Sequence, residues 1–134
     1  PNVMRLPELG IDWHPKGMRD RDWIFLHGDE AGTSQIAGTT ARNLVTKTGL
    51  NVVNGHVHRA GVVPYTTSIN GKVTRTLWGV EVGHAMDYKK VTYLKTMNWQ
   101  QSFAVLYPVG TTYSPSLIPV MGRRFVFEGK EYKI

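Results

Sequence analysis

Trp23-Ile24-Phe25-Leu26-His27-Gly28 and Leu50-Asn51-Val52-Val53-Asn54-Gly55-His56-Val57-His58 decide the fold. Each opens with a short β-branched or aromatic run that stops abruptly at glycine and histidine. The first run lacks polar alternation, which predicts a strand buried on both faces. Between the runs, Ala31 to Gly38 is a loop rich in Gly, Ser and Thr. Thr39 is placed to cap a helix whose apolar face carries Ala41, Leu44, Val45 and Thr48, and Gly49 is placed to stop it. Strand, helix, strand predicts a right-handed βαβ unit with parallel strands. Ligands of open sheets bind beyond the carboxyl ends of the strands. His27 and His56 stand at those two ends.

Working outward, residues 1–22 read as irregular, with one short helical turn and a surface loop, because Pro7, Gly10, Pro15 and Gly17 break longer elements. Beyond His58, Val62 to Ile69 and Lys72 to Val82 are rich in Val, Thr, Tyr and Trp. Asn70-Gly71 between them is a strong hairpin signal. A short helix is expected from Asp87 to Leu94. Strands are expected at Phe103 to Val109, Leu117 to Val120, Arg124 to Phe127 and Tyr132 to Ile134. The fold class is therefore α/β shading to α+β, and 1–134 reads as a single domain.

The 134 residues suffice for a core, and a hydrophobic fraction of 41% is ordinary for a globular protein. No apolar run approaches the roughly 18 residues of a membrane span. No signal-peptide pattern opens the chain. The absence of cysteine excludes disulfides, zinc knuckles and thiol nucleophiles, and fits the cytoplasm. Pro1 fits either a start after methionine removal or an excerpt of something longer. A net charge of +6, scattered rather than clustered, favours phosphate-bearing partners only weakly.

In an extended segment His56 and His58 point to one face. They are then too far apart to crowd one ion, but can serve two ions about 3.5–4 Å apart. Neutral imidazole suits Zn, Mn, Fe and Ni. Gly55 lets the backbone approach closely.

His27-Gly28 and Gly55-His56-Val57-His58 resemble the late His-Gly and terminal Gly-His-x-His motifs of the calcineurin-like metallophosphoesterases. Arg59-Ala60-Gly61, the run from Leu77 to Asp87 and Asn98-Trp99-Gln100-Gln101 look like the C-terminal half of the bacteriophage members, especially those of mycobacteriophages. The resemblance implies the β-rich half of a β-sandwich flanked by helices. It implies phosphodiester hydrolysis by a metal-bound hydroxide, on nucleotides or nucleic acid. His27 and His56 would hold one divalent ion and His58 a second, with manganese preferred over Fe, Zn or Ni. Arg59 would clamp phosphate. A phage product would act in the host cytoplasm.

The family's earlier motifs, D-x-H, G-D-x-x-D/E and G-N-H-D/E, are not found. Asp12-Trp13-His14 spells the first, but it ends no strand and runs into Pro15, so Asp12 and His14 are expected on the surface. Without a bridging carboxylate the chain is expected to bind fewer than two ions and to hydrolyse little alone. Self-association or an N-terminal half would complete it. The alternatives are a non-catalytic, basic, β-rich module binding nucleic acid or a protein partner, and a phage assembly protein. Asp29 and Glu30 are expected as loop carboxylates, with a role orienting an imidazole as the alternative. His84 is expected as a satisfied structural histidine, with contact to substrate as the alternative. Trp13, Trp23, Trp78, Trp99, Phe103 and Tyr107 are expected in packing, with base stacking as the alternative for the last four. Gly38-Thr39-Thr40 is a weak candidate for holding an anion.

Overall fold

The computed structural model describes residues 6–91 and 98–134. Among these residues it is β-rich, with one α-helix and a mixed sheet. The expected βαβ unit forms from β2 (Trp23–Leu26), α1 (Thr39–Thr48) and β3 (Asn51–Asn54), and β2 and β3 pair in parallel. The hairpin turning at Asn70-Gly71 joins β4 (Ala60–Ile69) to β5 (Lys72–Val82). β5 returns alongside β3, again in parallel. A short β1 (Met18–Asp20), which lies in the stretch expected to be irregular, adds antiparallel to β2. The five-stranded sheet has the order β1-β2-β3-β5-β4. Its three central strands run the same way, so their carboxyl ends share one edge.

Alternation along each strand sorts the side chains between two faces. One face meets α1: Leu44 and Val45 pack on Val52 and Leu77, flanked by Ile24, Leu26 and Tyr65. Gly49 ends the helix as expected, its N–H bonded to Val45 O at 2.9 Å. The expected cap at Thr39 does not form. Gly38 occupies the cap position, and Glu81 of β5 accepts from Gly38 N (2.8 Å) and Ala41 N (3.1 Å). A carboxylate there meets both the unpaired N–H groups and the positive end of the helix dipole. That pairing also accounts for a buried acid in a strand, and it occupies the helix start at which Gly38-Thr39-Thr40 was a weak candidate for holding an outside anion.

The other face is partly covered by a hairpin of β6 (Ser102–Val109) and β7 (Thr112–Pro119). Trp23 is fully buried under it and donates from Nε1 to Thr112 Oγ1 at 3.1 Å. Thr112 in turn donates to Asp22, which also accepts from Asn51 Nδ2 at 2.7 Å. Arg21 adds bonds to the carbonyls of Gly110 and Thr112. Ile24, Phe25 and Leu26 are only half-buried, so β2 is not sealed on both faces as its composition predicts. β8 (Arg124–Phe127) and β9 (Lys130–Lys133) form a last hairpin. Of the helix expected from Asp87, the described part is a 3-10 turn, Tyr88–Lys90, capped by Asp87; residues 92–94 lie outside the described residues.

Candidate metal and phosphoryl site

The shared carboxyl edge of β2, β3 and β5 delivers four histidines. His27 follows β2, His56 and His58 follow β3, and His84 follows β5. They form two pairs. His56 Nδ1 lies 3.0 Å from His27 Nε2, with the rings edge to face. His58 faces His84 at 5.5 Å between ring centroids, and Trp99 stands edge-on to His58 at 4.4 Å.

The backbone that separates these pairs is not extended, which corrects the alternating geometry expected of His56 and His58. His56 and His58 both take positive φ, 58° and 56°. Val57 N bonds back to Gly55 O at 2.6 Å, closing a γ-turn over His56. Positive φ is uncommon outside glycine and asparagine, and such strain gathers at functional sites. Two left-handed residues turn the imidazoles apart, one toward β2 and the other toward β5. Gly28 is required by the same geometry: a Cβ there would lie 3.2 Å from His56 Cβ and 2.9 Å from Asn54 Nδ2.

Two nitrogens bound to one ion at about 2.0–2.1 Å, at roughly a right angle, stand about 3.0 Å apart. The His27–His56 spacing fits that arrangement. A hydrogen bond between the two facing nitrogens puts a hydrogen on one of them, so ligation of an ion by both would require that ring to change tautomer. Among the described residues no group of three or more His, Asp or Glu side chains is close enough to hold a metal ion. The pair therefore offers two ligands, with further donors to come from elsewhere.

A cavity of about 680 Å³ opens beside His27, lined in part by Asp12, Trp13, His14, Phe25 and Asp29. Asp12 and His14 are exposed, as expected, yet they share this cavity with His27. Trp13, expected in packing, is 69% exposed and forms part of the wall. Glu30 accepts from Gly28 N at 2.9 Å, which makes it the loop carboxylate expected. Trp78 and Tyr107 are exposed rather than core: Trp78 lies in β5 of the sheet, and Tyr107 on the hairpin itself.

Arg59 is neither a surface ion pair nor extended toward solvent. It is 5% exposed, its guanidinium donating to Gln35 Oε1 (2.8 Å) and Val57 O (3.3 Å), with Nε unpaired. Burial holds the His58 imidazole below its ordinary pKa, helped by electrostatic interaction with His56, Arg59 and His27. Burial also lowers His84, with His58 contributing. Neutral rings are the form that ligates cations.

These two shifts predict a pH dependence of stability. A histidine depressed in the folded state binds fewer protons there than in the unfolded chain, where its value is 6.5. Its contribution is full above that value and is lost as pH falls through the folded pKa values. The melting temperature is expected to drop from about pH 7 to about pH 5, and His84→Gln should flatten part of the slope. An unchanged slope in that variant would remove His84 from the account.

No protein-family model matches the chain. Over 138 residues it is 35% identical to the Gene 54 protein of Mycobacterium phage L5, covering 99% of this chain and 54% of that protein. Its relatives are phage proteins. The Gene 54 protein of Mycobacterium phage D29 is 37% identical over 116 residues, covering 84% of this chain and 45% of that protein. The chain thus spans about half the length of the curated relatives it matches. Among the described residues no helix is long and apolar enough to cross a membrane.

Proposed function

We propose that this chain carries the histidine half of a metal-dependent phosphodiesterase site. The observation that supports it most is the 3.0 Å approach of His27 Nε2 and His56 Nδ1 at the carboxyl edge of parallel strands. His27 and His56 hold one divalent ion, with manganese as the first choice, and His58 serves a second. Such ions, when bound, supply a nucleophile from water at neutral pH and neutralise charge on the phosphoryl group. The protein's part is to fix the imidazoles, through the two left-handed residues and Gly28, and to keep His58 neutral. Arg59, buried beside His58, adds a positive charge that favours an anionic substrate. Phage origin of the relatives fits the resemblance of the motifs. Asp12 and Asp29 share the cavity at His27 and are the first candidates for added ligands.

The test is metal content together with manganese-dependent hydrolysis of bis-p-nitrophenyl phosphate, by the chain and by His56→Ala/His58→Ala. We expect bound metal, slow turnover at most, and loss of both in the variant. Turnover that survives the double substitution would refute the assignment.

The second reading is a basic, non-catalytic module for nucleic acid or a protein partner. The exposed apolar residues Ile69, Val73, Trp78 and Val126 favour it. It predicts nucleic-acid binding that weakens steeply with salt and needs no metal.

A further inference from the structure

His84 follows β5, one strand over from the His27–His56 pair, and its ring is locked in place. Its backbone is held on both sides: His84 N donates to Gln100 O at 3.1 Å, and Ser102 N donates to His84 O at 3.2 Å. Its ring is packed edge-wise by Tyr88 at 4.9 Å and Trp99 at 6.0 Å between centroids, with His58 at 5.5 Å. Gly83, at φ 73°, makes this approach possible, since a Cβ there would sit 2.1 Å from Ser102 Oγ. The residue is 8% exposed, so it cannot relieve an unmade bond by swinging into water.

Met86 N–H donates to His84 Nδ1 at 3.1 Å. An acceptor at Nδ1 means that the neutral ring carries its hydrogen on Nε2. That Nε2–H is buried and has no partner among the described residues, and the Nδ1 atom of the facing His58 ring likewise has none. A buried polar group left unpaired is costly, and one that is fixed in place calls for a partner. The ligand is not a cation. Ligation through Nε2 would move the hydrogen to Nδ1, directly against the Met86 N–H. The missing partner is a hydrogen-bond acceptor, and beside a set of metal-type histidines the fitting acceptor is an oxyanion.

We propose that His84 is a substrate-contacting residue: its Nε2–H donates to a non-bridging phosphoryl oxygen of a phosphodiester lying across the carboxyl edge of β2, β3 and β5. The phosphodiester rests on the function proposed above; the donor role rests on the Met86 bond and the unpaired Nε2. The bond strengthens as charge gathers on the phosphoryl oxygens, so His84 stabilises the transition state more than the ground state.

The experiment is a long-range proton–nitrogen NMR spectrum of the imidazoles in the 134-residue chain, titrated with dimethyl phosphate, with and without zinc. We expect the Nε2–H tautomer at His84 and a shift of its Hε2 resonance on adding the diester. His84→Gln, whose amide N–H stands near the position of Nε2, should keep the diester affinity within a few fold. His84→Asn keeps an acceptor for Met86 N–H but no donor at Nε2, and should lose about tenfold or more. Zinc affinity should be the same in both variants and the wild type. An Nδ1–H tautomer, an unmoved Hε2, or equal diester affinity in wild type and His84→Asn overturns the proposal. Zinc bound without any diester shift sinks it and leaves the metal site standing. A diester shift at His84 in a chain that takes no zinc upholds it and removes the metal site instead. Should either variant fail to fold, the wild-type tautomer and shift decide alone.

Discussion

Glu81→Ala is expected to cost about 3–5 kcal/mol of folding stability, because it removes two charge-assisted hydrogen bonds at once. Gly38 N and Ala41 N both depend on the Glu81 carboxylate, and Glu81 itself is 1% exposed. Without it, two donors at the start of α1 lie buried without an acceptor, and the helix dipole loses its counter-charge. Glu81→Gln should fall about halfway, since it keeps one acceptor but turns an amide N–H toward a backbone N–H. Against a total stability of roughly 5–15 kcal/mol, the alanine change approaches unfolding. The measurement is urea unfolding, read as a lower midpoint at unchanged slope. A loss below about 1 kcal/mol would show that the helix start finds other acceptors, and the strand–helix tie through β5 would have to be abandoned. Because α1 is the connection between the paired strands β2 and β3, the same variant should loosen the His27–His56 approach.

The βαβ unit was legible because its signals are local. Apolar runs, glycine stops and one helical face are written in adjacent residues, as is the Asn70-Gly71 turn. What was hidden depends on distant partners. The sequence around Glu81 resembles any strand, and nothing near it announces a helix start more than thirty residues upstream. The hairpin signal pairs β4 with β5 but does not say that β5 lies beside β3. That placement is what brings His84 to the histidine edge. β1 escaped notice because three exposed residues carry no periodic pattern. The positive φ of His56 and His58 was invisible for a chemical reason: left-handed backbone is signalled by glycine, and these residues carry side chains. Extended geometry predicted that two imidazoles two residues apart would look the same way. Left-handed geometry gives each a different partner, His27 for His56 and His84 for His58, so the two rings are divided for another reason than the one expected.

That division sets the last expectation. His27→Ala or His56→Ala alone should lower zinc or manganese affinity by about 100-fold or more, since even groups one shell out from a metal are worth about 10–100-fold. On the proposed function the 3.0 Å spacing would make the two imidazoles a chelate, and either one left alone would be a monodentate ligand in water. His27→Ala/His56→Ala should then be little worse than either single change, because the second loss removes a group that no longer binds. His58→Ala, whose ring pairs with His84 instead, should leave this first ion in place. Isothermal titration of the four variants gives the cycle directly. Additive losses from His27 and His56 would mean two independent weak sites rather than one shared ion. An equal loss from His58→Ala would mean that all three imidazoles converge on one ion, against the turn that separates them. Either outcome would rewrite the site while leaving the fold that builds it untouched.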